Sequence, residues 1–125
     1  MRNLRIKGTE DLPSVEFSET GKLFMGGASL PENPKEFFDP IMDWIEEYKN
    51  KVSTSTQIEF SFNYLNTAST YMMARIVGSL RDIKKSLSKV NVTWYYEPGD
   101  LDMKELGSEL LEFSDVEFSI VEIDA

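Results

Sequence analysis

The stretch "TQIEFSFNYLNTASTYMMARIVGSL", Thr56 to Leu80, decides the fold. Its first half alternates Ile58, Phe60, Phe62 and Tyr64 with polar neighbours, a period of two that predicts a half-buried strand. Its second half switches to a helical period. An amphipathic helix is expected over roughly 67–88, with Met72 or Met73, Ile76, Leu80, Ile83 and Leu87 facing the core. Gly78 lies in the middle of that helix at a cost of about 0.5–1 kcal/mol relative to Ala, and reads as a point of close packing against the sheet. Between the halves sits a cluster of small polar residues, Asn66, Thr67, Ser69 and Thr70. A helix start has unpaired N–H groups, and Asn66 or Thr67 as N-cap with Ser69 as helper satisfies them. The same corner suits a phosphorylated hydroxyl, because helix N-termini stabilise anions.

Downstream, "KVNVTWYYEPGD" is a strand closed by a Pro-Gly turn, "DLDMKELGSELLEF" a shorter helix and "DVEFSIVEI" a last strand. Asp100 or Asp102 is the N-cap of that third helix. Upstream, "LPENPKEFFDPIMDWIEEYKNKV" opens with Asn33, Pro34 and Glu36, a capping box with proline in the first turn. Phe37, Ile41, Trp44, Ile45 and Tyr48 follow as its apolar face, and Pro40 marks either a late start or a kink. Three short segments, "NLRIKG", "SVEFS" and "KLFMG", begin the chain, the last two joined by a hairpin-length "ETG" turn. The expected order is βββ–α–β–α–β–α–β. Strands alternating with helices imply right-handed βαβ units and parallel neighbours. The fold class is therefore α/β, one domain spanning 1–125, with an N-terminal antiparallel meander leading into a mixed sheet covered by helices.

Composition narrows the chemistry. Of 125 residues none is Cys and none is His, so Cys- or His-ligated zinc, Ser-His-Asp and Cys-His catalysis and a phosphohistidine relay are excluded. A net charge of −9 argues against binding a phosphate backbone and suits neutral or basic partners. No apolar run approaches the ~20 residues of a membrane span, there is no secretory h-region, and a cytoplasmic location is the default. The acidic residues Glu32, Glu36, Asp39, Asp43, Glu46 and Glu47 read as the solvated side of a helix rather than paired catalytic carboxylates. In "WYY", Trp94 and Tyr96 share a face and Tyr95 takes the other, a packing pattern rather than a stacking platform. No GxGxxG or phosphate-binding loop is present. No catalytic residue, metal site or cofactor is expected.

Read together, "LPENPKEFFDPIMDWIEEY", "FNYLNTASTYMM" and "VTWYYEPGDLDMKELGSELLE" resemble the bacterial SiaC regulatory phosphoprotein family, small STAS-like α/β proteins similar to anti-sigma-factor antagonists. The resemblance implies a non-enzymatic partner switch. A dedicated protein kinase would phosphorylate the Thr of the Asn-Thr motif and a PP2C-type phosphatase would remove the phosphate. The unmodified protein would bind and activate a diguanylate cyclase or other output protein, raising cyclic-di-GMP and favouring biofilm. The acceptor position is Thr67, preceded by Asn66, with Ser69 as the second hydroxyl. The family commonly has Ser after that Thr, where this chain has Ala68. Partner contacts are expected from Tyr64, Leu65, Asn66 and Thr67. The competing expectation is a binding or structural domain without phosphorylation, in which Thr67 acts only as a helix cap.

Overall fold

Alternating apolar residues in the strands and 3.6-period apolar faces in the helices can be buried together only by laying helices on a sheet. The computed structural model, which describes residues 1–51, 54–86 and 88–124, does this with β1 (Leu4–Ile6), β2 (Ser14–Phe17), β3 (Lys22–Ser29), α1 (Pro34–Tyr48), β4 (Ser55–Leu65), α2 (Thr67–Lys85), β5 (Lys89–Tyr96), α3 (Leu101–Leu111) and β6 (Glu117–Glu122). The six strands form one sheet in chain order, β1 to β6. β1, β2 and β3 pair antiparallel, and β3 through β6 pair parallel. The antiparallel meander and the βαβ units are as the sequence predicts, with Gly21 at a φ of 102° in the hairpin turn.

Strand order equal to chain order has a consequence for the layers. Each right-handed crossover steps to the next strand in the same direction, so all three helices fall on one face. The burial of β4 agrees: Ile58, Phe60 and Phe62 are buried, while Gln57 and Glu59 between them are exposed. The core lies between that face and the helices, centred on Phe60, Phe62 and Trp94 against Phe38, Ile41, Met73, Ile76 and Leu80. The helices thus cover one side of the sheet, and the other side faces solvent.

Three details differ from the sequence reading. Along α1 the buried residues are Phe38, Ile41, Trp44, Ile45 and Tyr48, the expected face except that Phe38 stands in place of Phe37. Phe37 is only partly buried, packing edge-on against Phe38. Helix α1 also runs through Pro40 from its cap at Asn33, whose side chain accepts from Glu36 N–H at 3.1 Å. The second detail is α2, which ends at Lys85; both Met72 and Met73 are buried, and Leu87 lies outside the described residues. The third concerns glycine. Gly78 is exposed, and among the described residues nothing outside its own turn of helix lies within 4 Å of where a Cβ would stand. Close packing occurs instead at Gly107 in α3, where a Cβ would meet Trp94 Cδ1 at 2.4 Å.

Candidate functional site

The carboxyl ends of β3, β4 and β5 feed directly into α1, α2 and α3, so three helix N-termini lie along one edge of the sheet. That edge is where ligands and partners meet proteins built from parallel strands. Each N-terminus is capped by its own side chain: Asn33 on α1, Asn66 on α2 and Asp100 on α3. The first turns of α1 and α3 also carry an acid, Glu36 and Asp102, whereas the first turn of α2 has none.

The corner between β4 and α2 is built by a chain of hydrogen bonds. Asn66 N–H donates to the Ser29 carbonyl at 3.0 Å, pinning the end of β4 to the end of β3. The Asn66 side chain then accepts from Ser69 N–H at 2.8 Å, the bond that defines the N-cap. Ser69 turns inward, fully buried, and donates to the Ser29 carbonyl at 2.9 Å. Its oxygen sits 2.8 Å from the Ser29 hydroxyl. The Thr70 hydroxyl donates to the Asn66 carbonyl at 3.0 Å. Of the three hydroxyls here, Thr67 alone is exposed and without a hydrogen bond among the described residues.

The geometry decides between the two cap candidates: Asn66 is the N-cap, as one of the two readings had it, and Thr67 is the first residue of α2. Ser69 is not an open second acceptor, because its hydroxyl is spent on Ser29 in the interior. Ser29 itself was not legible as part of the corner, since nothing local marks a strand-end serine that meets a residue 40 positions on.

Tyr64 is turned out by a slip in the sheet. The β3–β4 register runs Gly27↔Phe62 and then Ala28↔Tyr64, so one residue of β4, Asn63, is extra. Gly27 at a φ of 102° accommodates the irregularity. Beyond it the alternation of Ile58, Phe60 and Phe62 no longer holds, and Tyr64 is 53% exposed. Leu65 and Asn66 are partly buried. Tyr71, one helical turn after Thr67 and 66% exposed, adds a second aromatic that the sequence reading passed over; the signal was its spacing of four.

Elsewhere the titratable groups do not converge. Among the described residues no group of three acidic, Cys or His side chains is placed to hold a metal ion. The acidic residues of α1 lie along its outer side, where Lys35 pairs with Asp39 and Lys49 with Glu46. The Tyr95 phenol, on the open face of the sheet, donates to Glu59 at 2.9 Å, which raises its pKa. No helix among the described residues is long and apolar enough to cross a membrane.

Comparison with known proteins agrees with this layout. The chain matches the SiaC family of regulatory phosphoproteins over residues 6–123. It belongs to the SiaC family. A Pseudomonas aeruginosa (strain UCBPP-PA14) protein described as uncharacterized is 30% identical over 121 residues, covering 96% of each chain. The solved structure of SiaC of P. aeruginosa is similar at a TM-score of 0.87 and 28% identity, over 98% of this chain and 100% of that one. A further match, at a TM-score of 0.89 and 29% identity over 96% and 99%, is to the crystal structure of the diguanylate cyclase SiaD in complex with its activator SiaC from P. aeruginosa. The SiaC family is one of regulatory proteins, and its fold is the mixed α/β domain seen here.

Proposed function

We propose that this chain is a non-enzymatic, cytoplasmic partner-switching protein that binds and activates a diguanylate cyclase while Thr67 is unmodified. Phosphorylation of Thr67 by a dedicated kinase releases the cyclase, and a PP2C-type phosphatase restores binding. Cyclic-di-GMP output, and with it biofilm formation, follows the unphosphorylated fraction. The observation that carries the reading is the likeness, over nearly the whole chain, to the structure of a cyclase bound by its SiaC activator. Supporting it, the Thr67 hydroxyl is open to an enzyme and bonded to nothing among the described residues, between the exposed rings of Tyr64 and Tyr71 in sequence.

The physics of the switch is local. Unmodified Thr67 is small and neutral, so a partner can cover it at little cost. A phosphate adds about 1.5–2 negative charges that must be desolvated or excluded when a partner packs there. A penalty of about 2.8 kcal/mol lowers affinity roughly 100-fold.

The test is cyclic-di-GMP synthesis by P. aeruginosa SiaD with the chain titrated in. Unaltered chain and Thr67→Ala are expected to raise the rate, and Thr67→Glu, equally well folded, to fail. Activation by Thr67→Glu equal to that of the unaltered chain would sink the phospho-switch. No activation by any form would sink the cyclase role.

A further inference from the structure

The sheet has two edges, and the chain treats them differently. Unpaired N–H and C=O groups along an edge strand are a template for another strand, so edges are ordinarily kept short, charged or covered. β1 is three residues long, has Arg5 at its centre and lies between Arg2 and Lys7. The Trp44 indole N–H also donates to the Arg2 carbonyl at 2.7 Å beside it. β6 is six residues long and pairs with β5 in unbroken register, with no proline, lysine or bulge. Its middle four residues, Phe118 to Val121, carry no charge. None of the six is buried, and the exposed ones include Phe118 at 38% and Val121 at 36%.

The ladder decides which backbone groups of β6 are open. The Ile123 N–H donates to the Tyr96 carbonyl at 2.8 Å. Peptide groups alternate sides along a strand, so Glu117, Ser119 and Val121 also turn theirs to β5. Phe118, Ile120 and Glu122 turn N–H and C=O away from the sheet, and no partner meets them among the described residues. Charge decides what kind of strand fits there. From Glu112 onward the sequence has five acidic residues and no Lys or Arg. Of the five, only Asp115 forms an ion pair among the described residues. Two β6 strands paired antiparallel over their full length would centre on Ile120 and bring the acidic ends of both copies together with no cation between them. A strand with a basic residue at each end and apolar residues between meets Glu117 and Glu122 with opposite charge, and Phe118 and Ile120 with apolar contact.

We infer that the open edge of β6 is a second interaction surface, which takes an extended, basic segment of another protein as an added strand of the sheet. Backbone hydrogen bonds to Phe118, Ile120 and Glu122 supply the affinity, and the end charges with the apolar middle supply the selectivity. β6 lies two strands from β4, whose end leads into Thr67, so this surface goes beyond the switch and is open whatever the state of Thr67.

The experiment is amide hydrogen exchange read by NMR on the full chain, with the synthetic peptide Lys-Val-Ile-Thr-Val-Lys as probe. In the free chain the amides of Phe118, Ile120 and Glu122 should exchange faster than those of Ser119 and Val121. The peptide should slow those three. Its form N-methylated at Ile, which removes a backbone donor, should bind at least tenfold more weakly. Glu117→Lys/Glu122→Lys changes two exposed positions. This variant should lose at least tenfold in affinity for the basic peptide and bind Glu-Val-Ile-Thr-Val-Glu instead, a gain that also shows the edge to be folded. The inference is overturned by a peptide that leaves the three amides unprotected, by equal binding after N-methylation, or by equal binding of the acidic and basic peptides to the unaltered chain. Protection of the same amides that rises with the concentration of the chain alone would assign the edge to a second copy and overturn it as well.

Discussion

A switch residue should be dispensable to the fold, and the corner at the start of α2 allows that to be measured by substitutions at three positions. Asn66→Ala removes the acceptor that receives Ser69 N–H at 2.8 Å, so an N-cap is lost at about 1 kcal/mol. Ser69→Ala deletes a fully buried hydroxyl that bonds both the Ser29 carbonyl and the Ser29 hydroxyl, and leaves the latter without its partner. Orphaning a buried polar group costs about 1–3 kcal/mol, so this is the most damaging of the three. Thr67→Ala removes an exposed hydroxyl that bonds nothing among the described residues, and replaces Thr with a better helix former. Its effect should lie within about 0.5 kcal/mol of zero. Thr67→Glu should be neutral or stabilising by about 0.3–1 kcal/mol, because it puts an acid into a first turn that has none. Urea unfolding followed by tryptophan fluorescence reads all four. The expected order of stability is Thr67→Glu, then Thr67→Ala and the unaltered chain together, then Asn66→Ala, then Ser69→Ala. If Thr67→Ala cost more than 1 kcal/mol while Asn66→Ala cost nothing, Thr67 would be the structural cap and the reasoning would fail.

The two helical glycines should respond in opposite directions to the same substitution. Gly78→Ala is expected to stabilise by about 0.5–1 kcal/mol, since the added methyl meets open space. Gly107→Ala drives a methyl into the Trp94 ring, which is fully buried and held by its N–H to the Met103 carbonyl at 3.0 Å; overpacking of this kind costs about 1–3 kcal/mol. Thermal unfolding that shifts in the same direction for both would contradict the packing described. A third expectation concerns Tyr95, whose pKa is raised by its hydrogen bond to Glu59, then by desolvation and the Glu59 charge. A raised value means the folded chain holds the proton more tightly than the unfolded one. That contribution is whole below about pH 10 and is lost as pH rises through the raised value. Phenolate absorbance should show Glu59→Gln moving one tyrosine titration downward, and an unchanged curve would show that the bond does not form.

What the sequence made legible was what local chemistry specifies. Asn33 and Asp100 are caps because their side chains reach N–H groups three residues away, and the strand and helix periods needed no distant partner. The uncovered side of the sheet also had a signal: β4 alternates with Gln57 and Glu59, whereas a parallel strand buried on both sides reads as a continuous apolar run. The misses are tertiary. Phe37 and Phe38 are adjacent, and the neighbours at i+3 and i+4 suit either one, so only packing decides which of the two is buried. Gly78 and Gly107 are the same residue in the same kind of element, and Trp94 alone tells them apart. The slip that turns Tyr64 outward depends on a pairing between β3 and β4 that no short window contains. At the site, the hydroxyl cluster announced itself, but which hydroxyl is free was decided by Ser29, far away in the chain.

The most direct measurement is phosphopeptide mapping of the protein isolated from its native cells, beside a Thr67→Ala strain. Phosphate should be found on the peptide carrying Thr67, absent from Ser69, and lost in the Ala strain. A Thr67 peptide that stays unmodified in every growth condition, or phosphate carried on another residue, would contradict the account.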